Sequence, residues 1–149
     1  MPAAMPEFDS AAALEAWGRG LAAELPRFAV LVLEGPLGAG KTTLMKGLAA
    51  GWGVANPEQV TSPTYTLIHE YHRGERSLYH LDLYRIETGA QLDTLGLEDL
   101  WQPPPAPEAR LIAIEWGEKI AAHLPRPYLH VRLAIPTPDR RELQAGWRR

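Results

Sequence analysis

The stretch that decides the fold is FAVLVLEGPLGAGKTT, residues 28–43. Residues 28–35 are almost continuously apolar, which is typical of a β-strand buried on both faces of its sheet. Residues 35–42 match the phosphate-loop pattern G-x-x-x-x-G-K-[ST] at every fixed position, and a helical sequence follows from residue 41 to about residue 50. A buried strand, a glycine-rich turn and a helix in this order predict a site for a nucleoside triphosphate.

The residue types of this loop suit the binding of phosphate. Gly38 and Gly40 allow the backbone to curl, so that successive N–H groups converge on phosphate oxygens. Lys41 can reach the β- and γ-phosphates, and the hydroxyl of Thr42 can bind Mg²⁺. Thr43 either contacts the α-phosphate from the first helical turn or is simply a favourable residue near a helix start, and the sequence leaves both interpretations open.

Strand and helix patterns alternate along the rest of the chain. Asp9 or Ser10 can cap a helix that runs to about Leu25, and residues 111–116, LIAIEW, read as a second buried strand. The runs YLHVRLAI and RELQAGW predict a final pair of strands around the turn PTPDR. We therefore expect an α/β fold with a three-layer, P-loop NTPase-like mixed sheet, in a single domain over residues 1–149.

A β-hairpin is predicted to be inserted into this fold. Residues 66–73 and 77–85 both alternate between apolar and polar side chains, and RGER between them reads as a turn. After the hairpin, residues 88–101 predict a short helix, and the proline-rich residues 102–110 predict a surface loop. Residues 118–124 predict one or two helical turns before the final strands.

Composition narrows the class of protein. The chain has 149 residues and a net charge of -3, which argues against a protein that holds nucleic acid by charge alone. The absence of cysteine excludes disulfides and thiolate zinc sites. MPAAMPEFDS lacks the features of a signal peptide, and no apolar run approaches the roughly 20 residues of a membrane span, so we expect a cytoplasmic protein with no membrane contact.

Two acidic residues can complete a magnesium site, because Mg²⁺ requires hard oxygen ligands. Glu115 ends the apolar run LIAIE, in the manner of a Walker B strand, and is the first choice for the metal, directly or through water. Asp82 lies in YHLD, whose alternation predicts a strand that is half-exposed or near a sheet edge. It is the candidate for a second metal contact or for orienting the attacking water. The residues alone do not decide which acid does which, and either could be a solvated acid at a strand end.

The segment SPTY, residues 62–65, suggests a nucleotide switch. In such switches a loop threonine between the phosphate-loop helix and the next strand closes over the γ-phosphate and Mg²⁺. Thr64 has this position in chain order, although a Ser-Pro turn that enters a strand is the alternative. His80 shares a strand face with Asp82 and is interpreted as a packed histidine, with a hydrogen bond to a neighbour as the alternative.

Further segments extend the phosphate loop into a family pattern. In chain order the sequence contains GPLGAGKTT, SPTYTLIHEY, YHLDLYR, LGLEDL and IEW. In order and spacing these segments resemble the bacterial TsaE (YjeE) family, small P-loop ATPases of tRNA threonylcarbamoyladenosine synthesis. The resemblance runs from about residue 9 to the last strand. The pair SPTYTL and HLDLYR is far more specific than the phosphate loop, because other P-loop families do not combine them.

The resemblance implies a cofactor and a set of site residues. The ligand would be ATP with Mg²⁺. Adenine would lie between the N-terminal segment around Ser10 and Ala11 and a C-terminal turn around Asp139 and Arg140. Residues 38–43, Ala39 among them, would contact the phosphates. Thr42 and Glu115 would be the magnesium ligands, with the acid Asp82 near the metal. Thr64 would be the switch-like residue, and Trp116 would lie beside the nucleotide.

The resemblance also implies partners. Members act with a TsaD–TsaB complex, which transfers a threonylcarbamoyl group to the adenosine beside the anticodon in tRNAs that read codons starting with A. The chain would hydrolyse ATP slowly by itself, with a partner completing the site, and would meet tRNA only through the complex. Whether the chain also associates with itself is left open by the sequence.

Two other functions are compatible with a phosphate loop. A small-molecule P-loop kinase usually carries an arginine-rich lid, and no dense arginine cluster occurs here outside the last two residues. A nucleotide switch without useful hydrolysis would not need two well-placed acids. Arg73, Arg76 and Arg85 lie near the predicted hairpin and are interpreted as solvated charges, so slow intrinsic hydrolysis is expected.

Overall fold

The computed structural model describes residues 6–63 and 67–149, and the strands in these ranges form one seven-stranded sheet. The strands are β1 (Glu7–Phe8), β2 (Phe28–Glu34), β3 (Ile68–Arg73), β4 (Arg76–Asp82), β5 (Ala109–Glu115), β6 (Tyr128–Thr137) and β7 (Arg140–Arg148). Their order across the sheet is β1-β7-β6-β2-β5-β4-β3. The four central strands, β6, β2, β5 and β4, run parallel, whereas β3, β7 and β1 are antiparallel to their neighbours. The expected mixed sheet with an inserted hairpin, β3–β4, is confirmed.

Helices cover both faces of the sheet. They are α1 (Ala11–Glu24), α2 (Lys41–Trp52) and α3 (Gly89–Asp93), with 3₁₀ helices at Pro57–Gln59 and Gly117–His123. One apolar core lies between the sheet and the pair α1 and α2. A second core packs the opposite face against α3, the turns after it and the end of the second 3₁₀ helix. The three-layer arrangement is therefore confirmed. No described helix is long and apolar enough to cross a membrane.

The helix α1 forms where the sequence predicts it. The side chain of Ser10 caps the helix by accepting a hydrogen bond from the backbone N–H of Ala13 at 3.1 Å. Leu14 and Leu21 are buried on its inner face, and Trp17 packs against the same core. The helix ends at Glu24 and the chain then enters β2, so α1 lies against the helix that follows the phosphate loop.

Two glycines allow α1 and α2 to pack closely. A Cβ at Gly47 would collide with the carbonyl oxygen of Glu15, and one at Gly51 would collide with that of Arg19. Because both positions lack a side chain, the backbones of the two helices meet directly. This contact fixes the second half of α2 against α1, and the phosphate loop lies at the other end of the same helix.

Local structure departs from the sequence-based expectation after the hairpin. Of the helix predicted over residues 88–101, only Gly89–Asp93 is helical. Thr88 caps this short helix, and the chain turns at Gly96, whose φ of 68° is not helical. The helical turns expected over residues 118–124 are present as a 3₁₀ helix, Gly117–His123.

The strand that carries Asp82 lies near a sheet edge, as expected, but its carboxyl end is buried. β4 lies next to the edge strand β3, and its last three residues, from His80 to Asp82, are buried. Alternation therefore predicted the strand correctly but not the burial of its carboxyl end. Within the described residues, the buried polar or charged side chains are His80, Asp82 and Glu115. All three lie towards the carboxyl ends of β4 and β5, so a site is located where these strands end.

Candidate nucleotide-binding site

The phosphate loop has the backbone geometry that its glycines predict. Gly38 and Gly40 have φ angles of 82° and 105°, in the left-handed region that strains other residues. Gly40 is the N-cap of α2, and no side chain caps this helix. The first N–H groups of α2 are thus left for a ligand, and the helix dipole adds partial positive charge there. Ala39 is fully buried, and its N–H donates to the carbonyl of Pro36 at 3.1 Å, which closes the turn.

Two cavities lie on either side of this loop and share Gly38, Gly40 and Thr43 among their walls. The larger has a volume of about 560 Å³, and we call it the phosphate cleft. The smaller has a volume of about 350 Å³, and we call it the N-terminal cavity. The other walls of the phosphate cleft are Leu37, Lys41, Thr42, Ser62, Asp82, Tyr84, Glu115 and Trp116. The cleft thus brings together the lysine, hydroxyls, acids and tryptophan that the sequence singled out.

Glu115 is the electrostatic centre of the phosphate cleft. Its Oε2 accepts a hydrogen bond from Nε2 of His80 at 2.6 Å, and its Oε1 lies 3.7 Å from Nζ of Lys41. Burial raises the pKa of the Glu115 carboxyl. The hydrogen bond from His80 and the charges of His80 and Lys41 lower this pKa by more than burial raises it, so that it lies below its usual value. Glu115 is therefore ionised at neutral pH and available to a cation.

Asp82 lies beside Glu115 on the neighbouring strand. The two residues are direct partners in the parallel pairing of β4 and β5, so both carboxylates project from the same face of the sheet. Asp82 is 5% exposed, and its Oδ1 accepts a hydrogen bond from the backbone N–H of Tyr84 at 2.9 Å. This bond holds the carboxylate at the wall of the cleft.

The oxygen atoms of the cleft suit Mg²⁺. The hydroxyl of Thr42 and the carboxylates of Asp82 and Glu115 are hard ligands of the kind that this ion prefers. Within the described ranges, no group of three or more His, Cys, Asp or Glu side chains could hold a metal without help. The residues therefore fit an ion that is shared with phosphate oxygens, as Mg²⁺ is in nucleotide sites.

Trp116 forms one wall of the cleft. Its φ of 65° is unusual for a residue with a side chain, and it turns the chain directly after Glu115. The ring of Tyr84 meets the Trp116 ring edge to face, with centroids 5.2 Å apart, and Nζ of Lys41 lies 5.1 Å from the Trp116 ring centroid. Tyr84 was not selected from the sequence, although it belongs to the same HLDLYR segment as Asp82.

The N-terminal cavity is walled by the two ends of the chain. Residues 8–11 form one side, and Pro138, Asp139 and Arg141 form the other. Ser10, Ala11 and Asp139, which the sequence-based expectation put around adenine, thus line the same cavity. The hydrogen-bonded pairing of Phe8 with Arg141, between β1 and β7, holds the two sides together.

Arg140, expected near adenine, is not among the residues that line the N-terminal cavity. Its Nη1 donates to Oε2 of Glu7 at 2.8 Å, in an exposed ion pair. Successive side chains of a strand point to opposite faces, so Arg141 takes the position beside the cavity. Nε of Arg141 donates to the carbonyl of Gly38 at 3.2 Å, which ties β7 to the phosphate loop.

The remaining sequence-based candidates are Thr64 and the hairpin arginines. Thr64 falls outside the described residues, whereas Ser62, two residues before it, lines the phosphate cleft. The walls of the cleft contain no arginine among the residues that the structure describes. Arg76, one of the hairpin arginines, stacks on the ring of Trp52 at 4.6 Å instead.

A family model described as "Threonylcarbamoyl adenosine biosynthesis protein TsaE" matches residues 8–143. The chain belongs to this family. The match includes the phosphate loop, both acids and the turn at Asp139, and it confirms the family that the sequence segments indicated.

Individual TsaE relatives cover most of the chain. The protein named "tRNA threonylcarbamoyladenosine biosynthesis protein TsaE" in Synechocystis sp. is 42% identical over 108 residues, 72% of this chain and 66% of the relative. The protein of the same name in Treponema pallidum is 36% identical over 127 residues, 85% of this chain and 88% of the relative. In the Nostoc sp. relative the match spans 61% of the length, so the chain spans less than two thirds of the cyanobacterial relatives.

A solved structure supports the same fold. The crystal structure of Bacillus subtilis YdiB superposes with a TM-score of 0.74 and is 31% identical, over 96% of this chain and 84% of that one. The α/β P-loop fold expected from the sequence is thereby confirmed. As a member of the TsaE family, the chain has the P-loop fold, and its relatives carry the name of threonylcarbamoyladenosine biosynthesis proteins.

Proposed function

We propose that this chain is the ATP-binding and ATP-hydrolysing component required for threonylcarbamoyl modification of the adenosine next to the anticodon in tRNAs that read codons starting with A, acting with a TsaD–TsaB complex. The observation that carries the proposal is the shared cleft of Lys41, Thr42, Asp82 and Glu115 directly beside the phosphate loop. A protein that only binds nucleotide would not need two buried carboxylates in the phosphate cleft.

The proposed mode of binding uses both cavities. The triphosphate occupies the phosphate cleft, held by backbone N–H groups of residues 38–43 and by Lys41, while adenine occupies the N-terminal cavity beside Ala11 and Arg141. Lys41 must leave the carboxylate of Glu115, which now lies 3.7 Å away, in order to reach the phosphates. Trp116 forms the wall of the cleft next to Glu115.

The proposed hydrolysis is an in-line attack of water on the γ-phosphorus, with ADP as the leaving group. Thr42, Glu115 and Asp82 are the proposed magnesium ligands, and the bound ion would neutralise charge on the phosphate oxygens. Glu115 is the proposed direct ligand of the metal, because its Oε1 faces the cleft beside Lys41. Asp82, fixed by Tyr84, is the proposed group that orients the attacking water or holds the ion from the second side.

Partners complete the proposed cycle. The described walls of the phosphate cleft include no arginine, so in the isolated chain the charge that develops during hydrolysis would be offset by Lys41, the metal and the backbone N–H groups of the phosphate loop. We expect slow hydrolysis by the isolated chain and faster hydrolysis in the TsaD–TsaB complex. Thr64 is proposed to close over the γ-phosphate in this state. The site of action is the cytoplasm, and tRNA is met through the complex.

The experiment that tests this function measures release of inorganic phosphate from ATP by the purified chain, alone and then with TsaD–TsaB and tRNA. We expect slow, Mg²⁺-dependent release that rises when the complex is added. Glu115→Gln should reduce release about 100-fold, because the substitution keeps the shape of the side chain but removes the charge that the cation needs.

Glu34→Gln is the matched control for this experiment. Glu34 also ends a strand, β2, and is also paired with a histidine, since its Oε2 lies 2.8 Å from Nε2 of His130. It does not line either cavity, so its substitution should leave phosphate release unchanged. ADP formation without inorganic phosphate would indicate a phosphorylated acceptor and a kinase, and no response to the complex would overturn the proposed coupling.

A further inference from the structure

His80 occupies a position where an apolar side chain would be expected. It is 0% exposed and lies on the face of the sheet that α1 and α2 cover, opposite the small residue Ala113 on β5. Its Nδ1 is buried with no hydrogen-bond partner in the described part of the chain. A buried ring nitrogen without a partner is unfavourable, so its other nitrogen must provide a compensating interaction.

The compensating interaction is the bond from His80 to Glu115. Nε2 of His80 lies 2.6 Å from Oε2 of Glu115, and an ionised carboxylate has no hydrogen to donate, so Nε2–H is the donor. The bond therefore divides the two oxygens of Glu115. Oε2 faces the interior of the protein, and Oε1 faces Lys41 and the phosphate cleft.

We propose that His80 is a positioning residue for the nucleotide site: its Nε2–H holds the carboxylate of Glu115 so that Oε1, and not Oε2, is presented to the metal or to a metal-bound water. This inference rests on the proposed function. It follows a general behaviour of metal sites, in which a hydrogen bond to a ligating carboxylate sets its orientation and its loss costs about 10–100-fold in metal affinity or activity.

The loss of the bond from His80 should change how the Glu115 carboxylate is oriented and so weaken binding of the cation. Among the described residues, the partners of its carboxylate are His80 and Lys41. If His80 could not donate, the carboxylate would be free to turn both oxygens towards Lys41. The ion pair with Lys41 would then compete with the phosphates for the lysine and with the metal for the carboxylate. His80 thus keeps Glu115 available for the cation.

The experiment measures binding of a slowly hydrolysed ATP analogue by calorimetry, with and without Mg²⁺. In the wild type we expect Mg²⁺ to tighten binding. His80→Leu, which fills the space but cannot donate, should reduce this tightening about 10-fold, while the affinity without metal stays within about twofold. His80→Gln, whose amide nitrogen can reach the same oxygen, should restore most of the magnesium effect.

His130→Leu is the matched control, because it removes a similar histidine–glutamate bond, 2.8 Å long, to Glu34 at the end of β2. It should leave the magnesium effect at the wild-type value. Should the leucine variant of His80 fail to fold in thermal unfolding, His80→Asn replaces it, since the shorter amide cannot reach Oε2 of Glu115.

Two results would overturn the role of His80 alone: a wild-type magnesium effect in the non-donating variant, or an equal loss of affinity with and without metal, which would indicate general structural damage. A wild-type protein without any magnesium-dependent tightening would overturn both the proposed function and the role of His80.

Discussion

The phosphate cleft and the N-terminal cavity share part of the phosphate loop but differ in their other walls. The cleft is walled by a lysine, a hydroxyl and two carboxylates, Lys41, Thr42, Asp82 and Glu115. The N-terminal cavity mixes apolar walls at Phe8, Leu14 and Pro138 with polar and charged ones, which are Asp9, Ser10, Thr43, Asp139 and Arg141. Lys41 and the buried acids Asp82 and Glu115 line the cleft and not this cavity. In the proposed mode of binding, hydrolysis therefore depends on the cleft, and affinity for the nucleoside depends on the N-terminal cavity.

The two cavities also arise from different parts of the fold. The cleft lies at the carboxyl ends of the parallel strands β2, β5 and β4, which form the interior of the sheet. The N-terminal cavity depends on the antiparallel pairing of β1 with β7 at one edge, where two residues on each side are paired. A substitution in the interior should thus change chemistry, whereas one at the edge should change binding without changing chemistry.

The largest expected effect comes from Lys41 in the phosphate cleft. Lys41→Ala removes the side-chain cation of the cleft, so we expect at least a 100-fold loss of phosphate release together with weaker ATP binding. Equilibrium binding and phosphate release would be measured on the same protein. Lys46→Ala is the matched control, because Lys46 lies on the same helix, α2, but lines neither cavity. Equal losses in both variants would contradict the assignment of the phosphate cleft.

Most of the phosphate cleft could be predicted from the sequence because its parts are local. The strand, the glycine turn and the helix are contiguous, and each acid ends its own strand, so Lys41, Asp82 and Glu115 could be placed without knowledge of the tertiary structure. His80 shows the limit. Its shared face with Asp82 follows from alternation, but its bond to Glu115 depends on the register between β4 and β5, which no local pattern encodes.

The N-terminal cavity was harder to predict because it depends on the pairing of the two chain ends. The choice between Arg140 and Arg141 is a matter of which face of β7 carries each side chain, and that is fixed by the register with β1. The helix expected over residues 88–101 failed for a different reason. Its apolar residues, including Leu92 and Leu97, are buried in the second core, but they belong to a short helix and the turns that follow it. The spacing of apolar residues alone does not distinguish this arrangement from one longer helix.

A smaller effect is expected from filling the N-terminal cavity. Ala11→Leu adds three carbon atoms at a position that lines this cavity, so we expect about a 10-fold loss of ATP affinity, with hydrolysis at saturating ATP unchanged. Ala12→Leu is the matched control, since Ala12 is the next residue of the same helix and does not line the cavity. Titration of both variants with ATP, followed by phosphate release at saturation, separates binding from chemistry. A fall in the saturated rate of the Ala11 variant alone would contradict the division of roles between the cavities.

The smallest expected effect compares two adjacent arginines. Arg141→Ala removes a cavity wall and the bond to the carbonyl of Gly38, so a loss of about threefold to tenfold in ATP affinity is expected, about the contribution of one partly exposed hydrogen bond. Arg140→Ala removes only the exposed ion pair with Glu7, which contributes little, and affinity should stay within about twofold. Calorimetric titration of both variants with ATP compares them directly. A larger loss from Arg140 than from Arg141 would mean that the edge strands are displaced when nucleotide binds, because in the present register only Arg141 faces the cavity.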